Sequence, residues 1–249
     1  MDSKETNRSY YKSYWNYNMI EYLNKSAGAR WFDHLLKLTL NKISDDSIST
    51  VADIGCGVGN KTAFMARRYK YADVYGYDFS KEGIKAASKY HTEKNIHFTT
   101  EDITLSKYKK KYDLITAFDV LEHIDDWKSL TKKLIEVNNK YMLISSPVGK
   151  MRPYEVHIGH VRNFKIGEIE RFMEKNGYSK VQTYYAGFPF YSPILRNLTN
   201  RFYSNYAGLP ESEMSFLSKR MHDVWYILFR YFSLKHKGDI FIGLFEKGK

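Results

Sequence analysis

Cysteine is nearly absent. The single thiol, Cys56, excludes an intrachain disulfide and a cluster of thiolate metal ligands, so the chain is expected to work in a reducing cytoplasm. Long apolar runs are missing too, since none approaches the ~20 residues that a membrane-spanning helix requires. Residues 1–8 are polar and charged where a secreted chain carries a basic and then apolar leader, and secretion is not expected. There is no internal repeat and no low-complexity segment. Acidic side chains are in deficit, 28 against 39 Lys and Arg, leaving a net charge of +11. That balance helps anionic partners approach. It grows toward the C-terminus, where residues 151–249 hold fifteen basic and nine acidic side chains. The only dense cluster, Lys107-Tyr108-Lys109-Lys110-Lys111, falls between predicted strands, where a solvated loop accounts for it. Nucleic acid is therefore a disfavoured partner.

What is present is one α/β core with modest additions, which 249 residues of 43% hydrophobic composition can bury. Ser49-Thr50-Val51-Ala52 reads as a strand, Asp53-Ile54-Gly55-Cys56-Gly57-Val58-Gly59 as a glycine loop, and 60–69 as a helix. The glycines remove side chains where the backbone turns sharply and lies against a ligand. A dinucleotide fingerprint would place its third glycine at Asn60, and Asp53 at the strand end repels a pyrophosphate while suiting a cation or an amino group. A second predicted strand, 72–77, ends in Asp78, about twenty residues past the loop, the offset of a carboxylate that grips ribose hydroxyls. Ser80 is placed to cap a helix over 81–89. A third strand, 96–100, runs into Glu101-Asp102-Ile103, and a fourth, 112–118, into Asp119-Val120-Leu121-Glu122-His123-Ile124. A fifth, 141–145, leads to Ser146-Pro147.

In this order, over Val51 to Tyr185, these segments resemble the motifs of the class I S-adenosylmethionine-dependent methyltransferases, and the Val-Leu-Glu-His run resembles their small-molecule branch. The resemblance implies a Rossmann-like α/β fold: a seven-stranded, mostly parallel sheet with flanking helices. It implies S-adenosyl-L-methionine as cofactor and S-adenosyl-L-homocysteine as product. Asp53, Gly55, Gly57 and Gly59 would cradle the amino-acid tail. Asp78 would take the ribose and Asp102 the adenine amino group, with Phe79, Ile103 and Phe118 completing the cofactor set. The chain is expected to be one domain: an N-terminal helical lid over 1–48, the cofactor core over 49–186, a helical insert over 187–238 and the last strand over 239–249.

The lid holds Tyr14 and Trp15, placed to keep water from a methyl cation or simply to pack on the sheet, and two amphipathic helices over 19–23 and 29–43. The insert separates strand six (179–186) from strand seven (239–246), which the family's common layout joins by a short hairpin. A helix is predicted over 211–237. Its 224–229 apolar run is flanked by Lys219, Arg220, Arg230, Lys235 and Lys237, which suits a substrate cap, a homodimer face or an anionic membrane surface.

Methyl transfer to a hydroxyl needs a group that takes its proton, and imidazole suits that task. His123 follows strand four at the sheet edge where ligands bind, and His160, in a Val-Arg context similar to a family segment, follows strand five; both are the candidate catalytic bases. A metal site is the alternative. Asp119, Glu122 and His123 have the spacing of one helical face, and with His160 they resemble the Glu-x-x-Glu-His plus distant His site of small-RNA 2′-O-methyltransferases and some quinone O-methyltransferases, with Asp119 departing from the first Glu. A bound divalent ion is the less favoured reading. The expected reaction is O-methylation of a small molecule, with N-methylation, metal-dependent O-methylation of RNA or a quinone, and a non-catalytic cofactor-binding module as alternatives.

Overall fold

The computed structural model describes residues 17–105, 110–202 and 214–248. Seven strands form one sheet in the order β3-β2-β1-β4-β5-β7-β6. They are β1 (Thr50–Ile54), β2 (Asp73–Asp78), β3 (Ile96–Thr100), β4 (Tyr112–Phe118), β5 (Asn138–Pro147), β6 (Tyr178–Ala186) and β7 (Ile240–Lys247). β1 to β5 are mutually parallel, and β7 lies antiparallel between β5 and β6. The expected seven-stranded, mostly parallel α/β sheet is the one observed.

Alternation along the strands divides the core. Val51, Leu114, Leu143 and Ile242 face one layer, which holds Leu35, Leu36, Met65 and Phe229; Ala52, Ile115, Met142 and Phe241 face the other, with Trp127, Leu134, Ile169 and Met173. Both faces of the central strands are covered, so these strands read as continuous apolar runs. The first layer includes α2 (Ala27–Leu40) and α3 (Asn60–Arg68), and the second α5 (Trp127–Val137) and α7 (Glu168–Lys175). The chain enters through α1 (Tyr17–Lys25), and α4 (Lys81–Tyr90) joins β2 to β3. Ser80 caps α4 by accepting from the Gly83 N–H at 3.0 Å, as expected. A short α6 (Pro153–His157) follows β5.

Strand succession runs outward from β1 to β3 and then crosses to β4 on the other side of β1. The crevice beyond the C-terminal ends of β1 and β4 is thus a topological switch point, where open α/β sheets bind ligands.

Two expectations need correction. The segment after β4 is not a helix: Asp119 has φ 53° and only Leu121–His123 form a 3-10 turn, so Asp119 does not share a helical face with Glu122 and His123. The long helix predicted over 211–237 is shorter. It is α9 (Phe216–Ile227), extended by a π-turn to Phe232. It stops because the chain then goes extended, and Leu234 N–H donates to the Phe188 carbonyl at 2.7 Å while Gly187 N–H donates to Leu234 at 3.0 Å. Ahead of it, α8 (Arg196–Phe202) belongs to the same insert. Tyr14, Trp15 and most of the 107–111 cluster lie outside the described residues.

Candidate active site

The glycine loop is built where the sequence places it. Gly55, Gly57 and Gly59 have φ of 71°, 54° and 79°, a left-handed conformation that side chains resist. Packing adds a second reason at two of them. A Cβ on Gly55 would lie 2.5 Å from Val120 Cγ2, and one on Gly59 2.5 Å from Phe98 Cζ. The turn that carries His123 is therefore pressed against the loop through Val120.

Acids stand at successive strand ends. Asp78, buried, accepts from Gly57 N–H at 2.8 Å and from Ser80 N–H at 2.8 Å, clasping the loop to the end of β2. Burial raises its pKa, and those two amides oppose the rise. Asp53 lies deeper, on β1, and accepts from the hydroxyls of Thr62 and Thr116, each at 2.7 Å. Burial pushes its pKa up to about 6, against the two threonines and Lys61, with Asp78 adding to the rise. Asp102 follows β3 and accepts at one oxygen from Thr104 N–H and Oγ, at 3.0 and 2.6 Å. The Glu101 N–H donates to the Asp78 carbonyl at 2.8 Å, which ties this end to the previous one. Ile103 is buried in the core layer that contains Tyr77 and Val120. Phe79 is half-buried beside Asp78, and Phe118 turns its ring edge-on to Phe32 of α2 at 5.8 Å.

An isosteric change at Asp53 tests this arrangement. A carboxyl held at about 6 keeps a proton between pH 3.8 and 6 that the unfolded chain loses, so its contribution to stability falls as pH rises through 6. At neutral pH the ionised group costs up to about 3 kcal/mol. Asp53→Asn is expected to raise the urea-unfolding free energy by roughly that amount at pH 7 and by almost nothing near pH 4. A destabilised Asn variant at pH 7 would show that the ionised carboxylate is a net support of the fold.

His123 and His160 meet edge-to-face, with ring centroids 4.7 Å apart. His123 Nδ1 lies 3.0 Å from the Gly159 carbonyl, which only accepts, so Nδ1 carries the proton and Nε2 the lone pair. His160 Nδ1 lies 3.5 Å from Asn163 Oδ1. Burial lowers both pKa values, to about 3 for His123, with His160 contributing, and to about 4 for His160. Both rings are neutral at neutral pH. Glu122 is 0% exposed, accepts from Ser146 Oγ at 3.0 Å, and leaves Oε1 without a hydrogen bond among the described residues. Burial, and then the Asp119 carboxylate, hold its pKa well above the usual range. One ligand atom each from Glu122, His123 and His160 fall within 4.8 Å of one another. Asp119 is not in that group; it accepts from Ser145 Oγ at 3.0 Å.

Other residues that the motifs did not reveal surround these elements. Tyr191, from the insert, is held above its ordinary pKa by burial and then by Tyr154, Asp119 and Tyr22, with Arg152 opposing. Lys61 pairs with Asp33 and lies over the Phe32 ring at 5.1 Å. Cys56 contributes no nucleophile, since burial and then Asp78 and Asp53 raise its thiol pKa well above the ordinary value. Asn60 Nδ2 donates to Asn24 Oδ1 at 3.0 Å, joining α1 to the start of α3.

The profile of a family described as a methyltransferase domain matches residues 24–183, more than half of the chain. The chain belongs to this methyltransferase family. It is similar to the mitochondrial ubiquinone biosynthesis O-methyltransferase of Candida albicans, 35% identical over 91 residues, which cover 34% of this chain and 28% of that one. The probable (S)-tetrahydroprotoberberine N-methyltransferase 2 of Papaver bracteatum is 34% identical over 88 residues, covering 34% and 25%. The ubiquinone biosynthesis O-methyltransferase of Proteus mirabilis is 30% identical over 125 residues, covering 43% and 50%. The matches thus span a quarter to a half of these relatives' length. Among solved structures, the N-methyltransferase of Bradyrhizobium japonicum in complex with S-adenosyl-L-homocysteine superposes with a TM-score of 0.62 at 14% identity, covering 98% of this chain and 99% of that one. The magnesium protoporphyrin IX methyltransferase of Synechocystis with bound cofactor gives 0.54 at 20% identity, covering 74% and 89%. At such identities the likeness shows a common fold. In this member of the family the glycine loop and the turn that carries His123 follow adjacent strands, β1 and β4, at one switch point.

Proposed function

We propose that this chain transfers a methyl group from S-adenosylmethionine to a small-molecule acceptor, most simply to an oxygen. The observation that carries the reading is the clasp of the Asp78 carboxylate on the glycine loop, with a second buried acid, Asp53, beneath it. Two carboxylates there oppose a pyrophosphate and suit a cofactor with a sulfonium and an ammonium group. When bound, S-adenosylmethionine supplies an electrophilic methyl group on positively charged sulfur, which leaves as a neutral thioether. Asp53 and the glycines would face the amino-acid tail, Asp78 with Phe79 the ribose, and Asp102 with Ile103 the adenine; Phe118 would flank the crevice.

One of the paired rings, His123 or His160, takes the proton. A base of low pKa suffices, because a hydroxyl oxygen that begins to bond carbon becomes strongly acidic. The neutral imidazole Nε2 of His123 accepts that proton, while the Gly159 carbonyl fixes the ring. The similarity to both O- and N-methyltransferases leaves an amine acceptor as a variant in which the same rings only position the substrate. A second reading is favoured by the orphaned Glu122 Oε1: a divalent ion held by Glu122, His123 and His160 would replace the water that this carboxyl lost on burial. Loss of activity on chelation, restored by a divalent salt, selects it.

Calorimetry with S-adenosylhomocysteine and NAD in parallel tests the cofactor. The homocysteine compound is expected to bind, and Asp78→Ala to weaken it by about 1–3 kcal/mol, the loss of a charged hydrogen-bond partner. Tight binding of NAD would overturn the assignment. Mass gain of one methylene unit, after incubation with S-adenosylmethionine and a panel of hydroxyl and amine acceptors, separates an enzyme from a binding module.

A further inference from the structure

The insert carries a surface that methyl transfer does not use. Of the fourteen large hydrophobic residues exposed among those described, ten lie between Ile194 and Leu234. α9 and its π-turn have an inner and an outer side. The inner side meets α2: the His222 ring accepts from the Ala27 N–H at 3.2 Å, Asp223 pairs with Arg30 at 2.6 Å, and Phe229 packs on Trp31 at 5.7 Å. The outer side presents Leu217, Met221, Val224, Ile227 and Tyr231 at spacings of three and four, with Arg220, three residues from Leu217 and four from Val224, standing among them. Leu217 is 69% and Val224 59% exposed.

Charge around the stripe is of one sign. Between 214 and 238 stand Lys219, Arg220, Arg230, Lys235 and Lys237 against a single acid, Asp223, which Arg30 and Arg220 already neutralise. α2 adds to the field. Burial, then Arg230, Lys235 and Lys37, hold the His34 pKa below its ordinary value. An apolar helix face ringed by Lys and Arg is the pattern of a helix that lies in the interface of an anionic bilayer. A second copy fits less well. A two-fold contact would set the same basic rim against itself, and like charges across an interface are costly.

We infer that the outer face of α9 docks this chain on an anionic lipid bilayer surface. The insert leaves the sheet where Ala186 and Ile240 pair, next to Pro147 at the end of β5. Its readout is independent of methyl transfer.

The test is co-sedimentation of the full chain with phosphatidylcholine vesicles, with and without phosphatidylglycerol as one third of the lipid. The expected result is at least about tenfold stronger binding to the anionic vesicles, lost at high salt, because the attraction of surface charges is screened. Leu217→Asp with Val224→Asp should abolish binding at unchanged melting temperature, and Lys37→Glu with Lys235→Glu should remove the preference for anionic lipid. Absence of binding at low salt overturns the inference. So does equal binding to both vesicle types. If the chain is instead a dimer that the Leu217 and Val224 changes split, with no vesicle binding, the face is an interface between copies.

Discussion

Replacing His123 or His160 by Ala is expected to cut turnover about a hundred-fold or more while leaving S-adenosylhomocysteine affinity nearly unchanged, since neither ring belongs to the glycine loop. The pH dependence makes the reading sharper. A histidine at its ordinary pKa of 6.5 would lose activity below that value. Here burial holds His123 at about 3 and His160 at about 4, so both remain neutral well into the acid range. The two histidines should therefore add no limb near 6.5 to the wild-type rate, and a limb near 6 that Asp53→Asn removes would belong to Asp53. Stability moves in the same range. These rings contribute fully above 6.5, and their contribution falls as pH drops toward 4, because the unfolded chain takes up protons that the folded chain refuses. Rates below pH 5 must be measured with folding checked by circular dichroism. Full activity in both Ala variants would leave catalysis to positioning alone, or point to an amine acceptor.

The glycine loop and the acids at the strand ends were legible in the sequence because their requirements are local. Gly55, Gly57 and Gly59 answer to backbone dihedrals within one loop, and Asp53, Asp78 and Asp102 to their places at the ends of short β-prone runs. Strand order then follows from connection rules, and the seven strands lie where the apolar runs put them. The acceptor side was not legible. Asp119-Val120-Leu121-Glu122-His123 has helical spacing, yet Asp119 takes a left-handed backbone, so one expected ligand turned to Ser145 instead. Nothing in the chain near Thr62 or Thr116 marks them as partners of Asp53, and a threonine on an α-helix or a strand is ordinary. Likewise Tyr191 and Arg196 lie outside the motifs in sequence and meet the segment after β5 only through the packing of the insert. The insert itself is less separable than its composition implied. It drives Phe229, 0% exposed, into the layer of α2, so it belongs to the core as much as to the cap.

Arg196→Ala is expected to destabilise the protein by about 3–5 kcal/mol, the cost of stranding a buried charge. Arg196 is 4% exposed and Glu155 1%. The guanidinium pairs with Glu155, donates to Asp239 at 3.2 Å, and donates from Nε to the Tyr154 hydroxyl at 3.1 Å. Arg152 donates to Asp239 at 3.1 Å and to Ser192 at 3.3 Å, so two cations and two anions close a neutral set. This set joins the segment after β5, the insert and the start of β7, and it holds Tyr154 near Tyr191 at the crevice. Without Arg196 the Glu155 carboxylate keeps the Arg152 N–H at 2.5 Å and Asn163 Nδ2 at 3.3 Å, but no cation bonded to it among the described residues. The cost is that of a buried carboxylate left without its cation, and it is felt only while the group is ionised. The loss should be larger at pH 8 than at pH 5. Glu155→Gln in the Arg196→Ala background should recover part of it by removing the charge, whereas Glu155→Gln alone should destabilise. Urea unfolding of the four proteins forms a double-mutant cycle. A coupling near zero would mean that Arg196 acts through its aliphatic packing, and the neutral set would then not be what fastens the insert to the sheet edge.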